Sequence, residues 1–154
     1  MKKLLALVPM TISLAVACGH SDLPDAEACE HFEEGPFEPV AATPEPESAP
    51  TVDQVHVAYQ VELSADAPVY VAFSADEANE YYFFADQAVA IEFLVDGAPV
   101  IPASSCSTGG CSDACGLIEA RAVLSLDAGV VTVGLGPGEG TAMLLVEEGS
   151  GHDH

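Results

Sequence analysis

The sequence predicts an all-β fold, a single antiparallel β-sandwich of seven to eight strands that follows a disordered N-terminal tether. Apolar and polar residues alternate with a period of two from Val52 onward, which is typical of half-buried strands. Turn-forming residues separate these short segments. Beyond the apolar N-terminus, no stretch shows the spacing of an amphipathic helix. Short alternating segments between turns indicate two packed antiparallel sheets.

The N-terminus has the three parts of a bacterial export signal. Lys2 and Lys3 are followed by an apolar stretch over residues 4–16 and by small residues just before Cys18. This stretch is shorter than the roughly 20 apolar residues that a membrane-spanning helix needs. The run Leu-Ala-Val-Ala-Cys at residues 14–18 resembles a bacterial lipobox, which implies cleavage before Cys18 and lipidation of that cysteine. The alternative is a soluble secreted protein cut near Ala17.

Changes in composition divide the chain into four parts. Residues 1–17 are the predicted signal peptide, and residues 18–51 are the lipidated cysteine and a tether rich in proline and glutamate. Five prolines between Glu33 and Pro50 favour extended, unpacked chain. Residues 52–148 form the predicted β-sandwich domain. Residues 149–154 form a flexible tail with two histidines and an aspartate.

The charge of the mature chain excludes several partners. Cleavage removes both lysines, so Arg121 is the only base against 25 acidic residues, and the net charge becomes −24. A surface this negative repels nucleic acid and anionic lipid headgroups. Contact with the lipid bilayer must then come from the acyl chains, of which stable anchoring needs two or more. We expect a lipid-anchored protein of the bacterial cell envelope, at the outer membrane rather than the inner membrane, with a possible envelope protein partner.

Eight segments carry the strand pattern. Asp96-Gly97 is a tight-turn dipeptide between two of them, which predicts a hairpin. The predicted strands are residues 55–63, 69–73, 80–84, 89–95, 98–101, 118–126, 130–135 and 141–146.

Part of this order resembles a known family. Four consecutive segments are similar to the pre-peptidase C-terminal domains of secreted bacterial proteins. They are a strand ending at Phe73, an aromatic strand over residues 81–84, the stretch Ile-Glu-Phe-Leu-Val-Asp-Gly at 91–97, and the closing turn and strand over 126–137. The resemblance covers residues 69–146. It implies a jelly-roll-like sandwich and a non-catalytic accessory module.

Four cysteines remain besides Cys18, and their even number in an exported protein predicts disulfides. Three pairings are possible. We expect one bridge within the loop that holds three of them and one bridge from this loop to Cys29. Thiolate binding of zinc or copper by the loop is the alternative. The four are Cys29, Cys106, Cys111 and Cys115.

A metal site is predicted from histidines that stand next to acidic residues in the sequence, because imidazole and carboxylate groups together suit zinc, copper or nickel ions. The tail supplies His152, Asp153 and His154, and the segment before the first strand supplies His31 and Glu33. Solvated disorder of the tail is the alternative.

Other polar residues are expected to lie on the surface. His56 is expected to be a plain exposed residue on the polar face of the first strand. Glu147 and Glu148 are expected to belong to a solvated acidic surface, and Arg121 to pair with a neighbouring carboxylate. No Asp-x-Asp-x-Asp-Gly calcium loop is present.

The sequence carries no nucleophile elbow, no His-Glu-x-x-His zinc motif and no phosphate-binding loop. We therefore expect a membrane-tethered, non-enzymatic envelope lipoprotein that binds a divalent transition metal. The alternative is a structural or protein-interaction module with no small ligand.

Overall fold

Two β-sheets packed face to face form the body of the protein. The computed structural model describes residues 23–149. Within this range the chain forms one α-helix, α1 at Leu23–Glu34, a short 3-10 helix at Pro46–Ser48, and eleven strands. The strands are β1 Phe37–Val40, β2 Thr51–Val52, β3 Ala58–Glu62, β4 Val69–Ala75, β5 Asn79–Ala85, β6 Ile91–Val95, β7 Ala98–Val100, β8 Ser104–Cys106, β9 Ala120–Leu126, β10 Gly129–Leu135 and β11 Thr141–Glu148.

The strand order confirms the all-β sandwich. One sheet has six strands in the order β1-β3-β11-β5-β9-β8, and the other has five in the order β2-β4-β10-β6-β7. All eight predicted segments overlap an observed strand, while β1, β2 and β8 were not predicted. Pairing is antiparallel except at two places, where β1 runs parallel to β3 and β2 runs parallel to β4.

Aromatic side chains between the sheets form the centre of the core. Phe73 contacts Tyr81 and Phe83 edge-to-face, with ring centroids 5.3 Å and 5.8 Å apart. Phe83 contacts Phe93 at 4.8 Å. All four are 1 % exposed or less. Each buried ring contributes roughly 2–3 kcal/mol through burial of apolar surface, so this core alone accounts for much of the cohesion between the sheets.

The predicted tether is wrong for residues 23–51, because this segment folds onto the sandwich. Ala28 and Phe32 of helix α1 are buried against the outer face of the six-stranded sheet. Pro24 lies in the first turn, where a missing N–H costs nothing. Gly35, at φ 79°, ends the helix by donating its N–H to the carbonyl of His31. No helix within residues 23–149 is long and apolar enough to cross a membrane.

The proline-rich run is also ordered, since its prolines stand where a sheet accepts them. Pro39 lies in β1, an edge strand, so its missing N–H removes no inner ladder bond. Pro50 precedes β2, and its carbonyl accepts the N–H of Ala72 in β4. Proline content alone therefore does not indicate a disordered tether here.

Both disulfide predictions are confirmed. Cys106 and Cys111 form the bridge within the loop, and Cys29 is bonded to Cys115. The second bridge fastens α1 to the loop that precedes β9.

Candidate metal centre

Glu147 is a fully buried carboxylate under helix α1. In β11, Ala142, Leu144 and Val146 point into the core between the sheets, so Leu145 and Glu147 point to the opposite face. That face is covered by α1, and the Glu147 side chain is 0 % exposed. The expectation of a solvated acidic residue is therefore wrong at Glu147, because the unpredicted helix covers the end of the strand.

His31 approaches Glu147 from helix α1. Its Nε2 lies 3.8 Å from Oε1 of Glu147, and its Nδ1 lies 3.1 Å from the carbonyl oxygen of Gly35. A carbonyl oxygen only accepts, so the neutral ring donates from Nδ1 and keeps the lone pair of Nε2 directed toward Glu147. This is the arrangement by which proteins fix the tautomer of a metal-binding histidine.

His56 approaches from the other side, out of the bend before β3. Its backbone N–H donates to the carbonyl of Val146 at 3.0 Å, which ties the bend to β11, and its φ is 62°. Nδ1 is in direct contact with Oε2 of Glu147. The expectation of a plain exposed residue on the first strand is wrong, because β3 begins only at Ala58 and His56 belongs to the turn ahead of it.

Together these residues form the His31–His56–Glu147 cluster. One donor atom from each residue lies within 4.8 Å of the others. The two imidazole centroids are 5.3 Å apart, with ring planes tilted by 47°. The three residues come from a helix, a turn and a strand that are far apart in sequence, so the cluster exists only in the folded chain.

The electrostatics of the cluster call for a proton or a cation. Burial raises the pKa of Glu147 to about 8, and the negative charges of Glu27 and Glu148 act in the same direction. Apart from the two imidazoles, no hydrogen bond within residues 23–149 reaches either carboxylate oxygen. An ionised carboxylate in such a place is costly unless a positive group compensates it.

The donor set fits a transition metal. Two imidazole nitrogens and one carboxylate oxygen suit zinc, copper or nickel, and also match the three-ligand pattern of catalytic zinc sites. The histidine side chains are 24 % and 37 % exposed, so an ion can reach the cluster from solvent while the carboxylate lies behind it.

Of the predicted ligands, the structure brings only His31 into the cluster. Glu33 is exposed on α1, and it does not belong to the group of residues whose donor atoms converge. His152, Asp153 and His154 lie outside the described residues. His56 was missed as a ligand. Glu147 was expected only to add negative charge beside the tail ligands, although the alternation of β11 already directs it away from the core between the sheets.

A buried ion pair holds α1 in register with the sheet. Nε of Arg121 lies 3.0 Å from Oδ1 of Asp25, which confirms the predicted pairing of Arg121 with a carboxylate. The guanidinium also lies 5.2 Å from the ring centroid of Tyr82, at cation–π distance. Because Asp25 stands in the first turn of α1, this pair helps to fix the helix that carries His31.

Neither a protein-family model nor a curated protein matches the chain. The resemblance to pre-peptidase C-terminal domains stays a prediction.

Proposed function

We propose that this protein is a lipid-anchored, non-enzymatic envelope protein that binds a divalent transition metal ion through His31, His56 and Glu147. The observation that carries the proposal is the buried carboxylate of Glu147, with one imidazole directed at each of its oxygens. The lipid anchor rests on Cys18 and the export signal before it.

A bound cation resolves the electrostatic conflict that burial creates. Without a bound ion, only a proton can neutralise the buried carboxylate of Glu147, and burial raises the pKa of this group because it disfavours the charged form. A dication supplies the compensating charge directly and accepts the lone pairs of both imidazoles at the same time. The strongly negative charge of the whole chain also raises the local concentration of cations.

Titration calorimetry of the purified full-length protein with Zn²⁺, Ni²⁺ and Cu²⁺ tests the proposal. We expect one ion per chain at the cluster, bound more tightly than millimolar. His31→Ala, His56→Ala and Glu147→Gln should each weaken binding by at least about tenfold, since even indirect partners of a metal contribute that much. Glu33→Gln is the control. It removes one negative charge, as Glu147→Gln does, but from an exposed position of helix α1 outside the cluster, and it should leave the affinity unchanged.

The tail is examined in the same experiment by the double substitution His152→Ala/His154→Ala. If binding is lost with the tail histidines and retained in the three cluster variants, the metal site belongs to the tail and the cluster proposal is wrong. If wild-type protein binds no ion more tightly than millimolar, the function reverts to the alternative of a structural or interaction module.

A further inference from the structure

A cleft of about 350 Å³ opens at one end of the sandwich, between the β6–β7 hairpin and the turn that joins β9 to β10. We call it the β7–β9 cleft. Three of the side chains that line it, Val95, Val100 and Leu126, also pack against the core between the sheets. Val130 lines it as well and is 55 % exposed. The apolar interior therefore reaches the surface here, as it does at sites where proteins bind other molecules.

The edge of strand β9 is open beside this cleft. Strand β8 pairs with β9 only as far as Val123. Alternate residues of a strand direct their backbone N–H and C=O to opposite neighbours. The carbonyl of Val123 accepts the N–H of Ala103 on the β8 side, so Ser125, two residues further on, also directs its N–H and C=O to that side. Among residues 23–149 no strand pairs with β9 there, so Ser125 offers a donor and an acceptor to an added strand.

Two carboxylates stand at the mouth of the cleft. Asp96 lies in the β6–β7 hairpin and Asp127 in the β9–β10 turn, and both are exposed and line the cleft. The chain holds 25 acidic residues against three basic ones, so a second copy of it would be repelled from this place. The complementary occupant is an extended segment that carries apolar side chains together with lysine or arginine.

The cleft lies far from the start of helix α1. Asp25, in the first turn of the helix, contacts Arg121 near the beginning of β9. Leu126, at the cleft, is the last residue of the same strand, about 17 Å further along an extended chain. Because the proposed lipid anchor precedes α1, the cleft belongs to the part of the sandwich that a partner can still reach when the protein is anchored.

We propose that the β7–β9 cleft binds an extended, basic segment of a protein partner by strand addition to the open edge of β9. The backbone of the segment exchanges hydrogen bonds with Ser125, and an apolar side chain enters the cleft over Val100 and Leu126. Its basic side chains reach Asp96 and Asp127. In this mode of recognition, main-chain bonds to a sheet edge give affinity and pockets for alternate side chains give specificity. The inference is independent of the metal ion.

The test uses a blocked pentapeptide of alternating lysine and valine, titrated into the full-length protein in the presence of EDTA. Fluorescence anisotropy of the labelled peptide measures the affinity, and amide chemical shifts of the protein locate the site. Two control peptides carry serine in place of valine or glutamate in place of lysine. Ser125→Pro removes the edge N–H without removing a bond to β5. Ser105→Pro, at an exposed position of edge strand β8, is its matched control.

We expect the lysine–valine peptide to bind more tightly than millimolar, with amide shifts confined to the cleft and the edge of β9. Ser125→Pro should weaken binding by about three- to tenfold, as the loss of one hydrogen bond does, and Ser105→Pro should leave it unchanged. Asp96→Asn/Asp127→Asn should weaken it about two- to fivefold. Asp113→Asn, which changes an exposed acid outside the cleft, should have no effect.

Equal affinities of the two proline variants overturn the proposal, because the edge of β9 then takes no part in binding. Equal effects of the acidic substitutions, or equal binding of the control peptides, overturn it too, since they show only general attraction or adhesion. Far-UV circular dichroism checks folding, and if Ser125→Pro is unfolded, the amide shifts and the acidic variants decide. If the lysine–valine peptide binds no more tightly than millimolar, this proposal fails and the metal site is unaffected.

Discussion

At the scale of single residues, the buried carboxyl of Glu147 affects both stability and binding. The carboxyl is wholly removed from water, and its pKa is raised to about 8 because burial disfavours the charged form. Leu145 and Phe84 on the same face of the sheet are apolar and buried, so the surroundings supply little compensation. An apolar residue would suit this place better if packing were its only role, which is why we connect Glu147 with binding.

The raised pKa predicts how the stability of the apo protein depends on pH. The folded-state pKa exceeds the ordinary value of 4.5, so the contribution of Glu147 is fully present below that value and is lost as the pH rises through about 8. The loss is at most about 5 kcal/mol, since one pKa unit corresponds to about 1.4 kcal/mol and the two imidazoles offset part of it. Glu147→Gln should remove this loss.

Urea unfolding in the presence of EDTA, from pH 5 to pH 9, measures the free energy of unfolding at each pH. We expect it to change by on the order of several kcal/mol or less over this range. The wild-type curve should fall toward high pH more steeply than the Glu147→Gln curve. Parallel curves would show that the carboxyl is not the source of the pH dependence. With saturating zinc the wild-type decline should shrink, because the metal binds the deprotonated form.

At the scale of secondary-structure elements, the position of helix α1 decides whether the cluster forms. The Cys29–Cys115 bridge, the Asp25–Arg121 ion pair and the burial of Phe32 hold the helix on the sheet. His31 lies two residues after Cys29. The disulfide therefore fixes the part of the helix from which the imidazole reaches Glu147.

Replacing the two disulfides separately should have unequal effects. The Cys29–Cys115 bridge spans 86 residues and the Cys106–Cys111 bridge spans 5. From loop entropy alone, the double serine substitution should cost about 4–5 kcal/mol for the first and about 2 kcal/mol for the second. Urea unfolding measures the stability and calorimetry the zinc affinity, which should fall only for the Cys29/Cys115 pair. Equal losses of affinity would show that the helix is positioned by other contacts.

The elements also show what could be predicted from the sequence and what could not. The period-two alternation identified eight strands because each has one face in the core between the sheets. Helix α1 escaped notice because only Ala28 and Phe32 mark its apolar side, and much of its remaining surface is acidic. Pro24 and Gly35 were usable start and stop signals. Without the helix, nothing in the sequence indicates that Glu147 is covered, so the cluster could not be assembled.

At the scale of the whole molecule, the proposed anchor is a separate question from the fold. The export signal and Cys18 predict acylation, and a chain with 25 acidic residues has no electrostatic affinity for an anionic bilayer. Cys18→Ser should therefore move the protein entirely from the membrane fraction to the soluble fraction. Fractionation of cells expressing either form measures this. A variant that still sediments with membranes would contradict the lipoprotein proposal.

The order of residues 23–51 changes where the protein can act. A 34-residue tether would let the sandwich range tens of ångströms from its anchor, at about 3 Å per residue. Because α1 begins at Leu23, only four residues lie between the proposed acylated cysteine and the folded body, a reach of at most about 17 Å over the five steps from Cys18 to Leu23. His31 follows eight residues later, along a helix that rises about 1.5 Å per residue. An ion in the cluster would then be loaded and released within one protein diameter of the headgroups, so any donor or acceptor of that ion must itself work at the same membrane surface.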